Sequence, residues 1–250
     1  LTGGSGQLGH ELKHAITQLG NVWAPSSNEF NLKKPESLRS KIHNFKPDII
    51  INLAAYTNVE QAELEPNLVH IINVKAPRVL AEESRKLDIP LIHISTDFVF
   101  DGEKSESYKE TDSTNPINIY GKTKHLGEIE IQKIHAKHLI FRTSWVYSSI
   151  YGKNFYRTML KLFQEKREVK VVNDQIGNPT SVEFLSQAIV EILFDLKKDK
   201  EARWGLYHLA GDERMSWFEF AKKIYITEGD KDLLKTKKIL PISSTEFKSK

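Results

Sequence analysis

No cysteine occurs among the 250 residues. Disulfides, thiolate metal sites, iron–sulfur clusters and a cysteine nucleophile are therefore excluded together. A cysteine-free chain fits a reducing compartment, and a cytoplasmic location is expected. No apolar run reaches the roughly 18–20 residues of a membrane-spanning helix, so no membrane partner is expected. No secretory leader is visible. The chain opens at Leu1-Thr2 as though inside a strand and stops in Ser243 to Lys250 without a termination signal, so both ends read as trimmed. An excess of one charge is also lacking: 36 Lys and Arg stand against 33 Asp and Glu, a net +3, with the signs interspersed. That argues against nucleic acid and leaves a small phosphorylated molecule as the anionic partner to expect. Internal repeats and low-complexity tracts are missing too.

What is present is material for a core. Hydrophobic residues make up 39% of the chain, with 12 Phe, 8 Tyr and 4 Trp, which excludes wholesale disorder. At about 150 residues per domain the length suggests one large domain or two unequal ones.

Strand and helix patterns alternate. Leu1-Thr2 reads as a strand end, and Gly6 to Leu19 carries Leu8, Leu12, Ala15, Ile16 and Leu19 at helical spacing. Asn21 to Ala24 reads as a short second strand, and Ser37 to Phe45 as a helix. Asp48 to Ala54 and Pro90 to Ser95 are apolar, β-rich runs of the kind buried on both faces of a parallel sheet. Val74 to Leu87 and Ile119 to Ile134 read as helices, His138 to Thr143 as a strand. Repeated alternation implies right-handed crossovers and an α/β, Rossmann-like, doubly wound parallel sheet. After Ser144 the rhythm loosens. Helices near Phe155–Glu165, Val182–Leu196 and Ser216–Tyr225 and strands near Val169–Val172 and Leu206–Leu209 read as a smaller C-terminal α/β region. Loops at the carboxyl ends of the parallel strands should build the site.

Thr2-Gly3-Gly4-Ser5-Gly6-Gln7-Leu8-Gly9 follows the first strand and opens the first helix. Glycines three apart let the chain turn tightly and approach a pyrophosphate, which then meets the N–H groups and positive end of the helix. Gly9 lets the helix pack close to the sheet. The second strand ends Trp23-Ala24-Pro25-Ser26-Ser27, without the acid that would bind a free ribose 2′-hydroxyl and without an immediate Arg. The choice between NADPH and NADH stays open.

Tyr120 and Lys124 are four apart and share a helix face. An ammonium beside a phenol favours the phenolate, so the pair can form a working acid/base at neutral pH. Thr96 ends the Pro90–Ser95 run, where a hydroxyl could polarise a carbonyl. The polar stretch from Asp101-Gly102 to Asn115-Pro116 could carry substrate contacts. His93 and His208, both on strands, read as core or turn residues rather than ligands.

Six segments together resemble the extended short-chain dehydrogenase/reductases over nearly the whole chain. They are Thr2–Gly9, Asn52–Glu60, Ser95–Gly102, Pro116–Lys124, Arg142–Tyr147 and Asp174–Thr180. The resemblance implies a mainly NAD(P)-binding domain over 1–145 and a mainly substrate-binding region over 146–250, with some chain returning to the first. It implies NADPH- or NADH-dependent reduction of the 4-keto group of a nucleotide-linked 6-deoxy-hexulose, dTDP-4-dehydrorhamnose, to dTDP-L-rhamnose. Carried over by position, Tyr120 protonates the forming alkoxide, Lys124 holds the nicotinamide ribose and lowers the Tyr120 pKa, and Thr96 bonds the keto oxygen. Gly3, Gly6, Gln7, Leu8, Gly9, Ala54, Ala55 and Thr57 join Tyr120 and Lys124 around the cofactor. Asp97, Phe98, Trp145 and Gln175 join Thr96 around the substrate. The resemblance also allows a homodimer. Glu60 and Phe98 depart from the usual Asp and Tyr, and the family's final segment is missing after Ser244-Thr245-Glu246. Some relatives bind Mg²⁺ through acidic residues at a dimer interface; no matching acid cluster is found, and no metal site is expected. A reductase or epimerase of another nucleotide-linked keto sugar fits the same residues. So does a non-catalytic subunit like the regulatory subunit of methionine adenosyltransferase, which would oxidise no NAD(P)H.

Overall fold

The computed structural model describes residues 1–198, 203–227 and 234–248. The last two residues of the stretch read as trimmed, Ser249 and Lys250, lie outside them. The chain divides into two compact units, Leu1–Thr143 with Ser186–Leu209, and Ser144–Leu185 with Ala210–Lys250.

The first unit is built on a four-stranded parallel sheet. Its strands run in the order Ile50–Asn52, Leu91–Thr96, His138–Thr143, Gly205–His208. Thr2 adds a single parallel bridge to Asn52. The two central strands are buried almost throughout, which explains why their sequences are continuous apolar runs rather than alternating ones. Leu38, Ile42, Leu80, Leu91, Ile131 and Ile140 form the heart of the core, each almost fully buried. The fold is the expected α/β, Rossmann-like one.

Two local expectations are corrected. Asn21–Ala24 forms no ladder: one bond, from the Leu1 amino group to the Trp23 carbonyl at 2.9 Å, joins it to a neighbour. One pairing does not make a strand. The Asp48–Ala54 run narrows to Ile50–Asn52.

The helix predicted at Val74–Leu87 starts earlier and contains a wide turn. Pro66–His70 leads into a π turn over Ile71–Lys75, and Ala76–Leu87 follows. Pro77 has no N–H to return to the Asn73 carbonyl, so the regular ladder cannot close there. Ala76 N–H instead bonds Ile71 O, five residues back. The freed Asn73 carbonyl packs on Gly127 of helix Ile119–Ile134, where any Cβ would overlap it.

Among the described residues the second unit holds three small pairings. Glu168–Val172 pairs in parallel with Lys238–Ile242, Val146–Tyr147 in parallel with Thr180–Ser181, and Ile176–Gly177 antiparallel with Met215–Ser216. Helices Phe155–Glu165 and Trp217–Thr227 close a core of Tyr156, Met159, Phe163, Val171, Phe220 and Ile224. Helix Val182–Lys198 runs from this unit into the first. Among the described residues no helix is long and apolar enough to cross a membrane.

Candidate active site

The glycine loop is shaped by distinct constraints. Gly3 adopts φ +70°, and a Cβ there would lie 2.9 Å from Ala54 N. A Cβ on Gly9 would overlap the Gly3 carbonyl and lie 2.7–2.8 Å from Gly3 C and Gly4 Cα, so the first helix packs directly on the loop backbone. Gly6 is different. Its φ of −76° is open to any residue, it is exposed, and a Cβ would meet only Gly3 O, at 3.2 Å. Gly6 caps helix Gln7–Ala15 with no side chain of its own, at the positive end of the helix dipole, where an anion is favoured. Leu8 is buried in the core, so only its backbone is placed to meet a ligand.

Ala54 and Ala55 lie half-buried and Thr57 exposed in the loop that leaves strand Ile50–Asn52 beside Gly3. Ala54 N–H donates to Thr2 Oγ1 at 3.2 Å. The buried Asn73 amide clamps this loop, accepting from Tyr56 N at 2.8 Å and donating to Tyr56 O at 3.1 Å. It also donates to Thr123 Oγ1 at 3.3 Å, tying the loop to the helix that carries Tyr120.

Helix Ile119–Ile134 starts where Asn118 Oδ1 accepts from Gly121 N at 2.7 Å. This cap sets Tyr120 in the first turn, beside the end of strand Leu91–Thr96. Phe98, 38% exposed, stands edge-on to the Tyr120 ring with centroids 5.5 Å apart. Thr96 Oγ1 donates to Asp97 Oδ1 at 3.1 Å and accepts from Phe98 N at 3.2 Å. Burial pushes the Tyr120 phenol up to about 12; the Thr96 hydroxyl lowers it and the Asp97 charge raises it further. Burial also pushes Asp97 up to about 6, against the bonds it accepts from Thr96 and nearby backbone.

Lys124 is 2% exposed. Its Nζ donates to Ile94 O at 2.6 Å and meets His93 Nε2 at 3.1 Å. Burial pushes the ammonium down to about 8, partly opposed by Glu128. In this structure the ammonium is turned to the strand, and burial moves the phenol up. A neutral phenol that keeps its proton throughout the neutral range is a proton donor, not a base.

Behind the pair lies a buried ion pair absent from the sequence reading. Arg142 Nε and Nη2 donate to the two Glu128 oxygens at 3.0 and 2.7 Å, with 6% and 1% exposure for the two residues. Ser95 Oγ adds a further bond to Glu128. Burial opposes ionisation of Glu128, but bonds from His125, Arg142 and Ser95 outweigh it and hold the carboxyl below its ordinary range. Charged residues inside otherwise apolar runs, as in Phe141-Arg142-Thr143, were the available signal.

Trp145 and Gln175 belong to the second unit. Trp145 sits at φ +44°, stacked on Trp217 with centroids 3.3 Å apart and planes 4° from parallel. Its indole occupies the space a Cβ on Gly177 would need. Gln175 is exposed, just before Ile176–Gly177. Thr96, Asp97, Phe98, Tyr120 and Lys124 are brought together within the first unit. An apolar hollow among Leu19, Trp23, Phe30, Ile42, Ile49 and Leu193 opens toward the other end of the strands and holds none of these residues. Among the described residues no group of three His, Asp or Glu could hold a metal ion.

A model of the family described as the RmlD substrate binding domain matches residues 1–250. The chain is 40% identical over 230 residues to dTDP-4-dehydrorhamnose reductase of Escherichia coli strain K12, covering 90% of this chain and 76% of that one. It is 38% identical over 251 residues to the spore coat polysaccharide biosynthesis protein SpsK of Bacillus subtilis strain 168, covering 100% and 84%. Among solved structures it resembles dTDP-4-dehydrorhamnose reductase of Bacillus anthracis in complex with NADP, with a TM-score of 0.89, 37% identity and coverage of 98% and 84%.

Proposed function

The chain belongs to the RmlD substrate binding domain family, and from that premise we propose that it is an NAD(P)H-dependent reductase of dTDP-4-dehydrorhamnose, yielding dTDP-L-rhamnose. The observation that carries this reading is the meeting of a threonine hydroxyl, a protonated phenol and a buried lysine at the carboxyl end of strand Leu91–Thr96. The residues fit a dinucleotide: exposed Gly6 opens helix Gln7–Ala15 without a capping side chain, as a pyrophosphate requires. Gly3, Gly6, Gln7, the Leu8 backbone and Gly9 line that anion site. Ala54, Ala55 and Thr57 border the cofactor, and Lys124 holds the ribose next to the nicotinamide. When bound there, the reduced cofactor would supply the hydride that the keto carbon requires.

With substrate bound, Thr96 turns its hydroxyl from Asp97 Oδ1 to the keto oxygen and orients it. Tyr120 gives its proton to the oxygen as negative charge develops there. An alkoxide is a stronger base than phenolate, so a phenol held near 12 still delivers its proton downhill. Asp97 and Phe98, beside Thr96 and Tyr120 in the first unit, face the sugar nucleotide.

The test is oxidation of NADPH, and separately NADH, by the purified protein with dTDP-4-dehydrorhamnose and with UDP-linked 4-keto sugars. Turnover with the dTDP sugar supports the reading; turnover confined to another sugar nucleotide, or none, overturns it. Tyr120→Phe should lower kcat by about 10²–10⁴ while NADPH affinity holds. Unchanged turnover in that variant removes the proton donor assigned here.

A further inference from the structure

Three polar side chains form one row across the sheet, flanked by Ile50, Ile51, Leu91 and Ile92. Thr2 bridges Asn52, and Asn52 pairs in register with His93. Their exposures are 6%, 1% and 1%. Burying such groups is costly unless they are bonded, and apolar residues would pack there without that cost. The three are bonded end to end. Thr2 Oγ1 donates to Asn52 Oδ1 at 2.6 Å, the Asn52 amide nitrogen meets His93 Nδ1 at 2.8 Å, and His93 Nε2 meets Lys124 Nζ at 3.1 Å.

The row thus ends on the Lys124 side chain and begins at the residue that opens the glycine loop. Thr2 Oγ1 also takes the Ala54 N–H, so the same chain reaches the loop beside the cofactor. His93 is held neutral by burial and by the neighbouring ammonium. A neutral imidazole offers one acceptor and one donor. When Nε2 accepts from the ammonium, Nδ1 carries the proton and Asn52 must turn its oxygen to it. When Asn52 donates to Nδ1, Nε2–H faces the lysine nitrogen and needs its lone pair. Ring, amide and lysine therefore cannot be set independently.

We infer that His93, held by Asn52 and through it by Thr2, is the positioning residue that fixes the Lys124 amino group where it meets the nicotinamide ribose. The inference rests on the reading of Lys124 as the ribose-binding residue. In either arrangement the Ile94 carbonyl and His93 Nε2 occupy two of the three positions around Nζ and leave one N–H, which they aim.

The test measures NADPH dissociation constants by fluorescence titration of His93→Leu, His93→Gln, Lys124→Met and the double variant His93→Leu/Lys124→Met. Circular dichroism and urea midpoints establish that each is folded, and His93→Met replaces His93→Leu throughout if the latter does not fold. Losing one bond to a charged group should weaken NADPH by about tenfold in His93→Leu. His93→Gln, whose amide oxygen can accept from Nζ, should recover most of that loss. In the Lys124→Met background the His93 change should add less than about a twofold effect. Wild-type affinity in His93→Leu beside a weakened Lys124→Met overturns the inference alone. A His93 effect that persists in full without Lys124 also overturns it, since His93 would then act by another route. Unchanged affinity in Lys124→Met overturns the ribose reading and the inference with it.

Discussion

Gly6→Ala and Gly9→Ala should separate ligand approach from packing within one loop. At Gly9 the added methyl overlaps the Gly3 carbonyl and crowds Gly4 Cα at 2.8 Å, all backbone that cannot swing aside. Overpacking of this kind costs about 1–3 kcal/mol, and the rigid neighbours put it at the upper end. The gain in helix propensity from Gly to Ala returns about 1 kcal/mol. The net loss is about 2 kcal/mol of stability. At Gly6 the methyl meets only one carbonyl oxygen, at 3.2 Å, on an exposed turn. Reduced freedom of the unfolded chain contributes about 0.4–1 kcal/mol, and the poorer N-cap costs a similar amount. Gly6→Ala should therefore keep the wild-type urea midpoint, yet weaken NADPH by at least about tenfold, or 1.4 kcal/mol, because its methyl stands where the pyrophosphate must come. Urea melts and fluorescence titration of both variants check the pair. Full affinity in Gly6→Ala, or full stability in Gly9→Ala, refutes the assignment of these two glycines.

Asp97 titrates above its unfolded value, near 6 rather than 3.8. The folded state then holds the proton more tightly, so Asp97 makes stability fall as pH rises from about 4 to about 6. Asp97→Asn should flatten that decline and raise the melting temperature more at pH 7 than at pH 4; parallel pH series of the two proteins read this out, and identical slopes contradict it. Arg142→Met leaves Glu128, 1% exposed, without its bidentate partner. Breaking a buried pair from one side costs about 3–5 kcal/mol, so the urea midpoint should drop sharply; a shift within error would show that Ser95 and His125 suffice.

The sequence is most legible where structure is local or where burial is two-sided. Apolar runs such as Leu91–Ile94 announce a buried parallel strand, and the four-residue spacing of Tyr120 and Lys124 places both on one helix face. The glycine loop is legible because its turn, helix start and close packing involve neighbours in sequence. What Lys124 does with its amino group is not legible. That depends on His93 and the Ile94 carbonyl, which a different element supplies. Likewise the Thr2–Asn52–His93 row exists only through strand register, a long-range property. Single polar residues inside Ile51-Asn52-Leu53 and Ile92-His93-Ile94 were the visible trace of it. At Asn21–Ala24 local β propensity meets a single bond, from the Leu1 amino group to the Trp23 carbonyl, and no ladder forms.

The wide turn at Ile71–Lys75 makes helical regularity a liability. Pro77→Ala would supply the missing N–H and, by propensity alone, favour the helix by about 3 kcal/mol. Drawing the Asn73 carbonyl back into the ladder would also carry its amide away from Tyr56 and Thr123, two contacts that span the chain from the Ala54–Thr57 loop to the Tyr120 helix. Engineering for heat tolerance that polished this segment would trade a sturdier cylinder for a slack hinge at the reacting centre.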